Sequence, residues 1–249
     1  MTSLTFNRIP QCHFRGINLP DGEPQLCVHC VANKLNYCGA LDMELGTELQ
    51  AIVRQNHFER GQTLFTQEDS AEYVFALVAG VVSCSHYLAD GRRQIIAFLF
   101  PGDYIGMAAG ERYSYTAEAV TEGQICRFPR DPFIKLLTKF DDVEQHCFKE
   151  VSNELAEAQK HVLILGQKDA TERVASFLLM LDERENRYGA HDDIEIPMRR
   201  ADIADYLGLT IETVSRIMTK LRKCGLIAAP NAHIVRILDQ GGLRDIASD

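Results

Sequence analysis

Three cysteines in one short run, Cys27-x2-Cys30-x7-Cys38, are the residues of this chain best suited by type and spacing to do chemistry. Thiolates are soft donors, and a C-x2-C pair opens both zinc and iron-sulfur sites, so spacing alone leaves the two metals level. Either site needs a fourth ligand. Cys126 can supply it, with Cys12 in reserve. The remaining three of the eight cysteines, Cys84, Cys147 and Cys224, fall in runs that read as strand, helix and helix end, and are expected to be packing residues. His29 lies between two candidate ligands and reads as a neighbour of the site or a solvated side chain. The plainer alternative, free structural thiols, fits poorly with four cysteines inside the first 38 residues.

A second group of residues suits nucleic acid. The formal charge of -9 over 249 residues argues against a basic coat, so any DNA contact must be local. Between Ile211 and Gly225, Arg216, Lys220, Arg222 and Lys223 stand against the single carboxylate Glu212. Glu212, Ser215, Arg216 and Thr219 recur at helical offsets on one face, while Val214, Ile217, Met218 and Leu221 fill the opposite face. Arginine pairs in bidentate fashion with guanine, glutamate accepts from the cytosine amino group, and serine takes either role, which are major-groove chemistries. Thr213, Lys220 and Lys223 complete the expected DNA-facing set. A solvated helix face with ordinary charge pairs is the plainer alternative. No nucleophile or acid-base set surrounds His13, His29 or the other histidines, so an enzyme is not expected.

The elements that must position these residues follow three patterns. Residues 1–40, rich in proline, glycine and cysteine, read as a loop that needs something to order it. From Gly61 to Pro132, the runs Thr63 to Phe65, Tyr73 to Val78, Val81 to Tyr87, Gln94 to Phe100 and Ala117 to Phe128 read as short strands. Asp90-Gly91 reads as a hairpin turn. Phe148, Val151, Leu155, Ala158, Val162 and Leu165 step by three and four, giving a heptad seam on one long helix that Gly166 is expected to end. A helix over Ala170 to Asp182 follows. Then come a first helix from Arg200 to Tyr206, a tight turn at Gly208-Leu209, and a second helix from Ile211 to Lys223 capped by Thr210. Leu226 to Ala228 and His233 to Ile237 read as a wing hairpin.

The expected fold is therefore α+β, in four parts. A cysteine-rich segment (1–40) precedes an antiparallel β-roll of jelly-roll type (41–140), a dimerisation helix (141–167) and a winged helix-turn-helix (168–249). Apolar residues at 46% and charged residues at 24% suit a globular chain of two domains. No run near Met1 resembles a leader and none approaches a membrane span, so a cytoplasmic protein with reduced thiols is expected.

The run Arg200-Ala-Asp-Ile-Ala-Asp-Tyr-Leu-Gly-Leu-Thr-Ile-Glu-Thr-Val-Ser-Arg216 resembles the signature of the Crp/Fnr regulators, and the resemblance covers nearly the whole chain. It implies an N-terminal β-roll, a central dimerisation helix, a C-terminal DNA reader, a homodimer, and RNA polymerase as a partner. The face Glu212, Ser215 and Arg216 resembles the Fnr branch, which reads sites of the TTGAT-N4-ATCAA type. Cyclic-nucleotide binding is not implied. Phe100-Pro-Gly-Asp-Tyr-Ile-Gly106 resembles the entry to the nucleotide cassette, but Met107 stands where the family has the ribose carboxylate. Tyr115-Thr116-Ala117 stands where it has the phosphate-binding arginine.

The oxygen-sensing Fnr proteins place three cysteines near the N-terminus and one in the roll around a 4Fe-4S cluster, and Cys27, Cys30, Cys38 and Cys126 are similar in placement. The seven-residue second gap is longer than the enterobacterial five but resembles the α-proteobacterial form. The resemblance implies that oxygen converts the cluster, the loop rearranges, and the dimer weakens. Two alternatives are a FixK-like regulator of the same fold without a cluster, and a metal-cysteine enzyme.

Overall fold

The computed structural model describes residues 43–107, 110–139, 141–186 and 193–248. Cys12, Cys27, Cys30 and Cys38 lie outside them. Two compact units divide the chain. Among the described residues, one comprises those from 43 to 85 together with those from 98 to 154; the other comprises His86–Ala97 and those from 155 to 248.

In the first unit, helix α1 (Met43–Ile52) leads into eight short strands: β1 (Arg54–Phe58), β2 (Thr63–Phe65), β3 (Tyr73–Ala79), β4 (Val82–Tyr87), β5 (Arg93–Leu99), β6 (Tyr104–Ile105), β7 (Thr116–Ala119) and β8 (Gly123–Pro129). They form two four-stranded sheets, ordered β1-β8-β3-β6 and β2-β7-β4-β5, in the antiparallel roll expected from the strand pattern. Asp90-Gly91 makes its turn with Gly91 at φ +86°, a left-handed conformation that glycine takes without strain. The single run expected from Ala117 to Phe128 is two strands. Val120 and Thr121 both donate to the carbonyl of Val81, which turns the chain between them.

Successive side chains of β8 point to opposite faces. Cys126 and Phe128 join Val74, Ala76 and Val78 of β3 on the outer face, where Leu49 and Val53 beside α1 and Phe133 and Leu136 of α2 (Arg130–Leu137) cover them. Ile125 and Arg127 take the other face.

Helix α3 (Asp141–Gln167) is followed by α4 (Ala170–Asn186), β9 (Ile194–Glu195), α5 (Arg200–Leu207), α6 (Ile211–Lys223), β10 (Ile227–Asn231), β11 (Ile234–Ile237) and α7 (Gln240–Ala247). Gly166 does not end α3, contrary to expectation. It stays helical, and the helix closes at Gln167 because Asp169 starts the next one, accepting the Thr171 and Glu172 amides while Glu172 accepts the amide of Asp169. The wing has three strands rather than two. β9 pairs with β11 through Ile234↔Glu195 and Val235↔Ile194, burying Ile194 and Val235.

The second unit also claims the tip of the β4–β5 hairpin, which the sequence alone assigns to the roll. Arg93 and Gln94 carry it there, since both bond to α5.

Candidate nucleic-acid interface and the cysteine face of the roll

Helix α5 ends at Gly208, whose φ of +62° and ψ of 40° give the left-handed cap that a side chain with a Cβ resists. Thr210 then caps α6, its hydroxyl accepting the amide of Thr213. Two helices are thereby fixed across the three residues Gly208, Leu209 and Thr210. Val214, Ile217, Met218 and Leu221 are buried, while Glu212, Ser215, Arg216, Thr219, Lys220 and Lys223 are exposed. Thr213 is half-buried, and its hydroxyl bonds that of Thr210, so it serves the cap as well as the face. Among the described residues, Glu212 and Arg216 enter no ion pair. The face therefore carries unspent hydrogen-bonding capacity, and its basic residues Lys220, Arg222 and Lys223 gather in the last turn.

A residue the sequence reading passed over holds this pair of helices in place. From α4, Arg173 donates to the carbonyls of Leu165, Lys168 and Leu207, each at 2.9 Å, satisfying helix-end acceptors of α3 and α5 that would otherwise lack partners. Arg93 and Gln94 act on α5 in the same way. Arg93 Nε lies 2.8 Å from Asp205 Oδ2, and Gln94 Nε2 donates to the Asp205 carbonyl at 2.6 Å. Nothing local in the sequence marks either contact.

Along α3, Phe148, Val151, Leu155, Ala158 and Val162 stand exposed, Phe148 by 75% and Val162 by 70%. Leu165 is half-buried. The neighbouring His161 faces inward, its ring stacked on Tyr206 of α5 at 4.0 Å. The chain therefore packs one side of the helix and leaves the seam uncovered.

The candidate ligands separate sharply by environment. Cys126 is buried in the outer-face cluster that also holds Leu49 and Val53. Cys84 is enclosed in the roll, where burial above all, with the charge of Glu154 adding, pushes its thiol far up from its ordinary pKa. A thiol so held is a poor ligand and a poor nucleophile. Cys224 is exposed at the C-cap of α6, so the expectation that it packs is wrong: the buried stripe of the helix ends at Leu221, three residues earlier. The side chain of Cys147 lies outside the described residues. No group of three or more His, Cys, Asp or Glu forms a metal site among the described residues. Within the roll, the Tyr115 hydroxyl accepts the Gly106 amide at 2.9 Å, so that amide is already engaged.

A β-roll followed by a long helix and a winged helix-turn-helix with a basic reading face defines a DNA-binding transcription regulator. Residues 55–140 match the cyclic nucleotide-binding domain family and residues 172–246 the Crp-like helix-turn-helix domain family. The chain is 36% identical over 230 residues to the nitrogen fixation regulation protein FixK of Bradyrhizobium diazoefficiens, covering 92% of this chain and 96% of that one. It is 31% identical over 228 residues to the transcriptional activator protein FnrL of Cereibacter sphaeroides, covering 90% and 92%. The solved structure of FixK2 from Bradyrhizobium japonicum superposes with a TM-score of 0.74 at 33% identity, over 78% of this chain and 97% of that one. This chain belongs to the Crp/Fnr family of transcription regulators and is not an enzyme. No helix among the described residues is long and apolar enough to cross a membrane.

Proposed function

We propose that this chain is an oxygen-responsive regulator in which Cys27, Cys30, Cys38 and Cys126 hold a 4Fe-4S cluster. In this reading, the clustered form dimerises along α3 and binds sites of the TTGAT-N4-ATCAA type at low oxygen, where it works with RNA polymerase. The observation that carries the reading is the place of Cys126. It lies on the face of the roll covered from α1, and α1 begins at Met43, five residues after Cys38. The fit rests on an all-thiolate donor set, which suits an iron-sulfur cluster as it would zinc, and the resemblance to the Fnr proteins favours the cluster. When bound, the cluster supplies the sensitivity to oxygen.

The chain's own residues supply the rest. Cys126 lies 88 positions after Cys38, so ligation by both ties the N-terminal segment to the roll and makes its order contingent on the metal. The exposed seam of α3 offers an apolar stripe to a second copy. Two copies present two α6 helices about 34 Å apart, one turn of DNA, and both are needed for a specific two-fold site. Similarity to FixK supports a second reading, the same regulator without a cluster.

Iron and sulfide assays on protein purified without air separate the two. The cluster reading expects about four iron and four acid-labile sulfides per chain, bleached by air and lost when Cys27, Cys30, Cys38 or Cys126 is replaced by serine, but retained in Cys84→Ser. Protein without iron that still binds its site supports the second reading. A full cluster in Cys126→Ser overturns the ligand set and makes Cys12 the next candidate.

A further inference from the structure

One cleft in the first unit has no part in the reading above. It is an open cleft of about 310 Å3 on the face of the roll that carries Ile125 and Arg127, and Phe58, Phe65, Phe75 and Ile125 are among the residues that line it. That volume suits a molecule of a few heavy atoms up to about the smallest ligand pockets. Met107 and Tyr115, at the positions where the family resemblance puts cyclic-nucleotide contacts, do not line it.

Its polar groups are oddly arranged. The guanidinium of Arg127 stacks over the ring of Tyr73 at 4.4 Å, but its Nε is buried without an acceptor. A ring face steadies the charge and leaves the N–H donors unsatisfied, and a buried donor in that state calls for a partner.

Asp69 and Glu72 line the same cleft, and Asp69 is held by the amide of Thr66 at 2.9 Å. Yet among the described residues Arg127 enters no ion pair, so the two signs of charge face one cavity without reaching each other. A plain anion on Arg127 would share the cleft with both carboxylates. A molecule with a negative and a positive end would satisfy each side.

We propose that this cleft binds a small zwitterion of the amino-acid class with an apolar side chain. Its carboxylate lies against Arg127, its ammonium points toward Asp69 and Glu72, and its side chain rests on the phenylalanine residues of the lining. A bidentate guanidinium-carboxylate contact gives such a ligand its orientation.

The test is saturation-transfer NMR with a parallel thermal-shift titration on the full chain at constant ionic strength. The probes are L-leucine, L-phenylalanine, leucinamide, N-acetyl-leucine, succinate and inorganic phosphate. Saturable binding of L-leucine or L-phenylalanine is expected, weakened by about tenfold or more when either charged end is removed, in leucinamide or N-acetyl-leucine. Arg127→Gln should abolish it. Glu72→Gln, at an exposed position that lines the cleft, should weaken it by about three- to tenfold, and decides the matter alone if Arg127→Gln does not fold. The proposal is overturned if neither amino acid binds the wild-type chain saturably, if succinate or phosphate binds as well as they do, or if Arg127→Gln, when folded, or Glu72→Gln leaves binding unchanged.

Discussion

Arg93 and Asp202, 109 positions apart in the chain, meet with Nη2 2.6 Å from Oδ1, and the carboxylate is buried at the start of α5. Burial opposes the charge of Asp202, but hydrogen bonds from Arg199 and Arg93 outweigh it and hold the carboxyl below its ordinary value. The same guanidinium reaches Asp205, so one arginine from the hairpin spans two carboxylates of the first DNA-reader helix.

The consequence for stability has a definite sign. A carboxylate whose folded pKa is depressed contributes fully above its unfolded value of about 3.9, and that contribution is lost as pH falls through the folded value. Arg93→Ala is expected to cost about 1 to 3 kcal/mol at neutral pH, because Arg199 still serves Asp202. Thermal melts between pH 7 and pH 2 should show the gap between wild type and variant holding to near pH 4 and closing below it. A gap that stays constant through acid would mean that the carboxylate is not the partner that matters.

What was legible in the sequence depended on how local the signal was. The recognition helix could be read to its ends, because a left-handed glycine, a threonine cap and a four-residue buried stripe all act within a few residues of one another. Strand β1 could not, since four of its five residues are exposed and no alternation survives. Gly166 misled because its conformational freedom permits a helix stop without requiring one. Arg93, Arg173 and Arg127 carried no signal at all: each matters through a partner or neighbour that only the folded chain brings near. The seam was visible as a period, but its exposure was not, and the outward turn of Cys224 needed the helix end to be seen.

The cysteines differ enough to be told apart by a reagent. Cys224 is exposed at the end of α6, whereas Cys84 is enclosed and its thiol is pushed up by burial. Brief treatment with iodoacetamide at pH 8 should label Cys224 and spare Cys84 until the chain is unfolded, as read by peptide mass spectrometry. Labelling of Cys84 in the native protein at the rate of Cys224 would show that the roll opens far more readily than its packing implies.

The seam makes a prediction about association that is separable from folding. Val162 is exposed in the single chain, so Val162→Glu should leave the chain's own packing intact. Placed in a helix-helix contact, the unpaired charge is expected to cost about 3 to 5 kcal/mol. With the dimer proposed along α3, sedimentation should find the wild type as dimers and Val162→Glu as monomers, with little change in circular dichroism. A dimer unaffected by Val162→Glu would remove α3 as the joint.

The recognition helix makes the sharpest prediction, because its charges fall into two classes by position. Arg216 lies one turn after Glu212 on the exposed face, with Ser215 beside it and no ion pair among the described residues, and in the proposed reading it meets a base edge. Lys223 is the last residue of the helix, where a phosphate rather than a base is within reach of a flexible ammonium. The two losses should therefore differ in kind. Arg216→Ala is expected to cost about 1 to 3 kcal/mol on a TTGAT-type half-site and to relax the preference at the guanine it reads. Lys223→Ala should weaken matched and mismatched sites alike and lower the slope of log affinity against log salt by about one. Titrations on matched and singly substituted sites at several salt concentrations measure both quantities at once. If Arg216→Ala weakens every site equally and leaves base preference intact, the arginine holds backbone, and the exposed face of α6 does not read the groove in the way its residues suggest.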